Sequence, residues 1–152
     1  MMKINEVLQS KSKDIWTIHS RETAYYALEI MAEKNIGALL VIDDEKIVGI
    51  FSERDYARKV ILKGKSSKEI SISKLMSKEV YSISPDKSVE EGLALMTAAQ
   101  CRHMPVIENG KLVGFVSMGD VVNAIISEKT ITIQDLNNYI SGGEYVSVEN
   151  NP

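Results

Sequence analysis

Two stretches, Gly49-Ile50-Phe51-Ser52-Glu53-Arg54-Asp55 and Gly114-Phe115-Val116-Ser117-Met118-Gly119-Asp120, decide how this chain folds. Each is a glycine, an apolar pair, a serine and, three residues after the serine, an aspartate. Each stands where an apolar run ends and a helical period begins. They lie 65 residues apart, and shifting residues 18–60 by 65 lays them on residues 83–125 without a gap. Ten of those 43 pairs are identical, among them Ile18/Ile83, Met31/Met96, Gly49/Gly114, Ser52/Ser117 and Asp55/Asp120. The match extends backwards through Ser12–Ile18 on Ser77–Ile83. It reaches Ile4–Leu8 on Ile72–Met76 once a three-residue insertion is allowed. Two gapless copies mean two similar units.

Each unit reads as β-α-β-β-α. A short alternating strand ends at Ile18 or Ile83. A helix follows, with Ala24, Ala27, Leu28 and Met31, or Val89, Gly92, Leu93 and Met96, at i, i+3, i+4, i+7. Ser88 and Glu91 suit a capping box. Apolar strands come next, over 38–42 and 104–107, then over 47–51 and 112–116. Asn109-Gly110 is the favoured two-residue hairpin turn, and Asp44-Glu45 is a weaker match at the same place. A closing helix starts at Arg54 or Gly119, with Ala57, Val60 and Ile61, or Val121, Val122 and Ile125, towards the core. The chain divides into residues 1–64 (N-terminal segment and first repeat), 65–130 (second repeat) and 131–152 (a further helix over 131–140 and a tail). A single unit buries only about 60% of its unfolded surface, so the expected fold is α/β (α+β), with the two repeats packed face to face about a pseudo-twofold axis.

Bulk properties narrow the function. The 152 residues are 44% apolar and 26% charged, ordinary globular material. A net charge of −3 argues against nucleic acid or a membrane surface as partner. No apolar run approaches the roughly 18–20 residues that span a bilayer, and Met1–Glu6 lacks the apolar core of a secretory signal. The one cysteine, Cys101, fits a reducing, cytoplasmic setting and reads as a buried, inert thiol. Two isolated histidines make no metal set. Nothing resembles a nucleophile–base pair, a carboxylate dyad or a phosphate loop, so an enzyme is not expected.

The Ser-x-x-Asp motif has two readings. It is a capping box, in which Ser52 or Ser117 bonds the first helical turn and Asp55 or Asp120 answers at the third helical position. Thr132-Ile133-Gln134-Asp135 shows the same spacing outside the repeat, as capping alone. The second reading uses the duplicated strand–motif–helix context. A helix N-terminus attracts anions. A carboxylate one turn in can take both hydroxyls of a ribose. Gly49 and Gly114 clear space where a flat ring approaches backbone.

The repeat, the glycine-apolar-apolar-Ser-x-x-Asp ending and the segment Arg102-His103-Met104-Pro105-Val106 together resemble a tandem pair of CBS domains (cystathionine-β-synthase-type, the Bateman module), over nearly all of residues 3–128. The resemblance implies a regulatory module that binds AMP, ADP, ATP, NAD or S-adenosylmethionine and signals by conformational change. It implies that Asp55 and Asp120 hold ribose hydroxyls and that Ser52 and Ser117 contact ribose or phosphate. Gly37-Ala38 and His103-Met104-Pro105 would offer backbone to adenine, with Ile18 and Ile83 against the ring. Arg102 and His103 stand where basic residues reach phosphate in that family. Repeat one has Gly37 and Ala38 there instead, which implies two unequal sites. Within 54–68, six basic residues face one acid, and Arg54 is the one beside the motif. The resemblance also implies a homodimer and a regulated partner protein. A structural or dimerisation module with purely capping motifs is the alternative. Trp16 and Tyr81 share one repeat position and read first as interface packing.

Overall fold

Capping chemistry places the helices. In the computed structural model, which describes residues 1–129 together with 137, 138 and 140, Thr23 caps α2 (Ala24–Lys34) by accepting from the Tyr26 amide. Ser88 and Glu91 form the expected capping box at the start of α4 (Val89–Ala99). Both helices end on a left-handed residue, Asn35 and Gln100. The preceding helix α1 spans Ile4–Gln9, and the strands are β1 (Thr17–Ile18), β2 (Ala38–Asp43), β3 (Lys46–Ser52), β4 (His103–Glu108) and β5 (Lys111–Ser117).

In repeat one, β1 pairs parallel with β2, and β2 pairs antiparallel with β3. In repeat two, β4 pairs with β5 in the same register, and the expected first strand is reduced to one parallel bridge, Ile83 to Val106. Asn109 and Gly110 take φ 51° and 76°, the turn their sequence favours. Asp44 and Glu45 adopt the same left-handed pair, φ 49° and 64°, without a glycine.

The closing elements differ. In repeat two, α5 (Met118–Glu128) is continuous and buries Val121 and Ala124, while Val122 is half-exposed. In repeat one, α3 (Glu53–Tyr56) passes into a π-helical turn over Ala57–Ile61. The wider turn directs only Val60 into the core, and Ile61, expected inside, is 56% exposed. Asn137, Asn138 and Ile140 are helical. The remainder of the helix expected over 131–140, the Thr132–Asp135 spacing and the tail lie outside the described residues.

Covalent order and packing order differ at two segments. Two hydrophobic cores form, and each takes in a segment from beyond its own repeat. Ile4 and Val7 of α1 are buried with Ile83, Val89, Met96, Met104, Val106, Val116 and Val121. Ile72 and Leu75, around a 3-10 turn over Ile72–Lys74, are buried with Ile18, Ala27, Met31, Leu39, Phe51 and Val60. Each such side chain is worth about 1.5–3 kcal/mol of transfer free energy, so each core depends on the crossing segment. The backbone repeats this exchange bond for bond. Ile72 N–H donates to Glu22, Ser73 to Ser20, and Ala24 to Ile70. In the other half, Ile4 donates to Lys87, Asn5 to Pro85, and Val89 to Met2.

The two repeat-motif glycines serve this crossing. A Cβ on Gly49 would stand 2.7 Å from Met76 Sδ and 2.9 Å from the Ser77 carbonyl oxygen. A Cβ on Gly114 would stand 2.7 Å from Leu8 Cδ1. Leu8 and Met76 are equivalent residues of the two crossing segments. The clearance expected for a ligand ring is therefore filled by the chain itself.

Candidate functional site

From the crossing helix the chain must return to the first strand, and the two halves do this with different lengths. Residues 9–17 connect Leu8 to Ile18, whereas residues 77–82 connect Met76 to Ile83. The shorter connection lies against its sheet. Ser77 and Ile50 exchange backbone hydrogen bonds of 2.8 and 3.0 Å along the edge of β3. The equivalent pair is Ser12 and Phe115. There the Phe115 carbonyl instead accepts from the Lys11 ammonium at 2.8 Å. A lysine side chain thus stands where the other half has a backbone bridge.

Beside this longer connection a cleft of about 400 Å³ opens between the repeats. Such a volume suits a nucleoside-sized ligand. Gly37 and Ala38, at the start of β2, line one side. His103, Phe115, Ser117 and Asp120, from repeat two, line the other. Lys11, Ser12, Asp14, Ile15 and Trp16 of the connection, with Lys34, Asn35 and Ile36 at the end of α2, complete it. A smaller cavity of about 260 Å³ shares Lys11, Ser12, Asp14, Ile15 and Phe115 with it and reaches Gly114.

Both motif serines cap as the sequence implies. Ser117 Oγ accepts from the Asp120 amide at 3.1 Å, and Asp120 Oδ2 accepts from the Ser117 amide at 2.8 Å. Ser52 and Asp55 make the same box, at 3.2 and 3.0 Å. Each aspartate also meets a lysine, but from a different source. Lys11 Nζ lies 2.5 Å from Asp120 Oδ2. Lys59, one turn along the same helix, lies 3.4 Å from Asp55 Oδ1 and donates to the Leu75 carbonyl. Burial pushes the Asp120 carboxyl up, and the Lys11 and Ser117 hydrogen bonds together outweigh it, leaving the group below the usual carboxylate range.

His103 stands at the repeat boundary. Its ring atoms Cε1 and Nε2 would lie 3.9 Å from a Cβ on Gly37, and the ring stacks on Phe115 with centroids 5.8 Å apart. Burial holds the imidazole below its ordinary 6.5. The Asp120 charge opposes this, and Lys11 and Arg102 reinforce it. Burial thus favours the neutral ring, which offers the cleft a hydrogen-bonding edge.

The sequence-derived candidates divide accordingly. Gly37, Ala38, His103, Ser117 and Asp120 meet in one cleft. Ser52 and Asp55 lie at the start of α3, and Arg54 beside them is exposed. Ile18 and Ile83 are 5% exposed and belong to the two cores, so neither faces the cleft. Met104 and Pro105 are buried, Met104 with its side chain in the core of repeat two. The Arg102 side chain is exposed and is not among the residues lining the cleft. Lys11, Asp14, Ile15, Lys34 and Phe115 line the cleft without having been candidates. For Lys11 the sequence did hold a signal, because it falls in the three residues by which the first connection is longer. Trp16 lines the cleft, 37% exposed, with Lys34 Nζ 4.3 Å from its ring centroid. Among the described residues no helix is long and apolar enough to cross a membrane.

The family model for the CBS domain matches twice, over residues 5–62 and 72–127. The chain is 37% identical over 150 residues to the mitochondrial CBS domain-containing protein CBSX3 of Arabidopsis thaliana, covering 92% of this chain and 72% of that protein. A protein with CBS domains from Burkholderia ambifaria superposes with a TM-score of 0.82 at 41% identity, over 87% of this chain and 99% of the other. A CBS domain pair solved with 5′-methylthioadenosine and S-adenosyl-L-methionine superposes with a TM-score of 0.73 over 84% of this chain and 98% of the other. Its 23% identity speaks for the fold alone.

Proposed function

This chain belongs to the CBS domain family, and from that premise we propose that it is a regulatory module that binds an adenosine-containing ligand in the cleft at Asp120. One observation carries the reading: a strand start from repeat one, Gly37-Ala38, meets His103, Ser117 and Asp120 of repeat two around a volume of nucleoside size. Backbone at Gly37 and Ala38 would bond adenine, and the Asp120 carboxylate would take the ribose hydroxyls. A ligand touching both repeats favours one relative placement of them, by no more than its differential affinity for the two. AMP, ADP, ATP, NAD and S-adenosylmethionine form the ligand class. The output passes to a regulated partner protein. The chain is read as a cytoplasmic homodimer without catalytic activity of its own.

A second reading, a purely structural role, has its support at the other aspartate. Asp55 is committed to its capping box and to Lys59, and its connection is sealed along β3 by Ser77. The Ser52-Asp55 motif is therefore read as a helix cap.

Thermal melts with each nucleotide test both readings. A ligand at a hundredfold excess over its Kd adds about 2.7 kcal/mol, a rise of several degrees in Tm. That rise is expected with the wild type and with Asp55→Ala, and is expected to vanish with Asp120→Ala. No rise with any adenosine compound would overturn the ligand reading. A rise lost with Asp55→Ala alone would reverse the assignment of the two motifs.

A further inference from the structure

Three basic groups face the cleft, and they are not equivalent. Burial favours the neutral form of His103. Lys34 is held over the Trp16 ring, 4.3 Å from its centroid, and pairs with Glu33. Lys11 lies on the carboxylate itself, 2.5 Å from Asp120 Oδ2, with its second hydrogen bond to the Phe115 carbonyl. Its side chain is about one-third exposed, and its stem is flexible. The position depends on the extra residues in the first connection, because the equivalent connection is bound to β3 by backbone and brings no lysine to Asp55.

Asp120 also has a second oxygen. Oδ2 accepts from both Lys11 and the Ser117 amide, whereas Oδ1 accepts no hydrogen bond among the described residues. A ribose hydroxyl can therefore bond Oδ1 while Lys11 stays within a side chain's reach. A phosphate attached to that ribose is a second anion close to Asp120. In a partly buried cleft two such charges repel, unless a cation stands between them.

We propose that Lys11 is the phosphate-recognising residue of this cleft, and that it makes the site select a phosphorylated adenosine over the uncharged nucleoside. This rests on the adenosine reading above. Lys11 acts twice: it attracts the phosphate, and it masks the carboxylate that would repel it. An uncharged nucleoside needs neither. Removing the ammonium should therefore weaken the phosphorylated ligand and spare the nucleoside. A residue that only held the connection in place would move both together.

The test is titration of the wild type, Lys11→Met and Lys11→Arg with AMP and with adenosine. Fluorescence of Trp16, the one tryptophan and part of the cleft wall, reports binding. Lys11→Met is expected to weaken AMP about tenfold or more, the scale of one charge-assisted hydrogen bond, and to leave adenosine unchanged. Lys11→Arg is expected to keep the preference for AMP. A second measurement needs only the wild type: AMP affinity should fall with added salt while adenosine affinity does not. Equal loss of both ligands in Lys11→Met, or equal salt dependence, overturns the role of Lys11 and leaves the adenosine reading standing. A wild type that binds neither ligand overturns both.

Discussion

The two halves of this molecule are built to one plan and finished differently. Each half receives a crossing segment, seats it with the same three backbone bonds and closes it over a glycine. They part where the chain leaves that segment. Over residues 77–82 the connection is short, and Ser77 is zipped to Ile50. Over residues 9–17 it is three residues longer, and the cleft opens beside it. The same Ser-x-x-Asp motif thus becomes a cap with an intrahelical lysine in one half. In the other it becomes a cap facing a cleft, with a lysine delivered from the connection. Duplication preserved the frame, and a change in loop length distinguished the sites. Long surface insertions cost little in closure entropy, so such a change is thermodynamically easy.

The largest test of this contrast is at the two glycines. Gly49→Ala pushes a Cβ against Met76 and the Ser77 backbone oxygen, which its sheet bonds hold in place. Gly114→Ala meets the Leu8 side chain, partly buried against the core of repeat two, and not a hydrogen-bonded backbone atom. Urea unfolding should show a loss of about 1–3 kcal/mol for Gly49→Ala, the usual range for overpacking, and less for Gly114→Ala. Equal losses would mean that the two connections are equally rigid.

A second test uses His103, whose equivalent in repeat one is Ala38. Its native value lies below the ordinary 6.5 because of burial. Above pH 6.5 both native and unfolded states hold the ring neutral, and its contribution to stability is complete. As pH falls through 6.5 the unfolded chain binds a proton that the native chain refuses, and stability drops until the native value is passed. Melts between pH 7.5 and 5 should therefore fall more steeply for the wild type than for His103→Gln. Parallel slopes would place His103 in solvent, outside the repeat boundary.

The smallest effect is expected at the hairpins. Glu45 adopts the left-handed turn that Gly110 adopts in the other half, and a side chain there is strained. Glu45→Gly should stabilise repeat one by about 0.5–1 kcal/mol, read from the urea midpoint. A loss instead would show that the Glu45 side chain makes up for its backbone.

Much of the frame was legible from residue spacing. The helices at Ala24 and Val89, the paired strands, the Asn109-Gly110 turn and the capping boxes all follow from local preferences that the tertiary structure does not contradict. The misreadings have one cause in common. Ile61 has the right spacing for a core residue, but a π-helical turn rotates it outward. Gly49 and Gly114 read as room for a ligand, and segments distant in sequence occupy that room. Ile18 and Ile83 read as ring contacts, and both are spent on the cores. In each case the deciding neighbour or backbone turn cannot be inferred from local periodicity.

The sequence by itself determined the duplication, the order of elements within each copy, the helix caps and the pairing of Gly37-Ala38 with Arg102-His103 as equivalent strand starts. These depend on hydrogen bonds and periodicities spanning a few residues, repeated in register. Only the tertiary structure decided which segment completes which core, which groups gather around Asp120 and which lysine reaches each aspartate. Those outcomes depend on how far nine residues rather than six allow a connection to stand off a sheet edge, and that distance exists only once both repeats are packed.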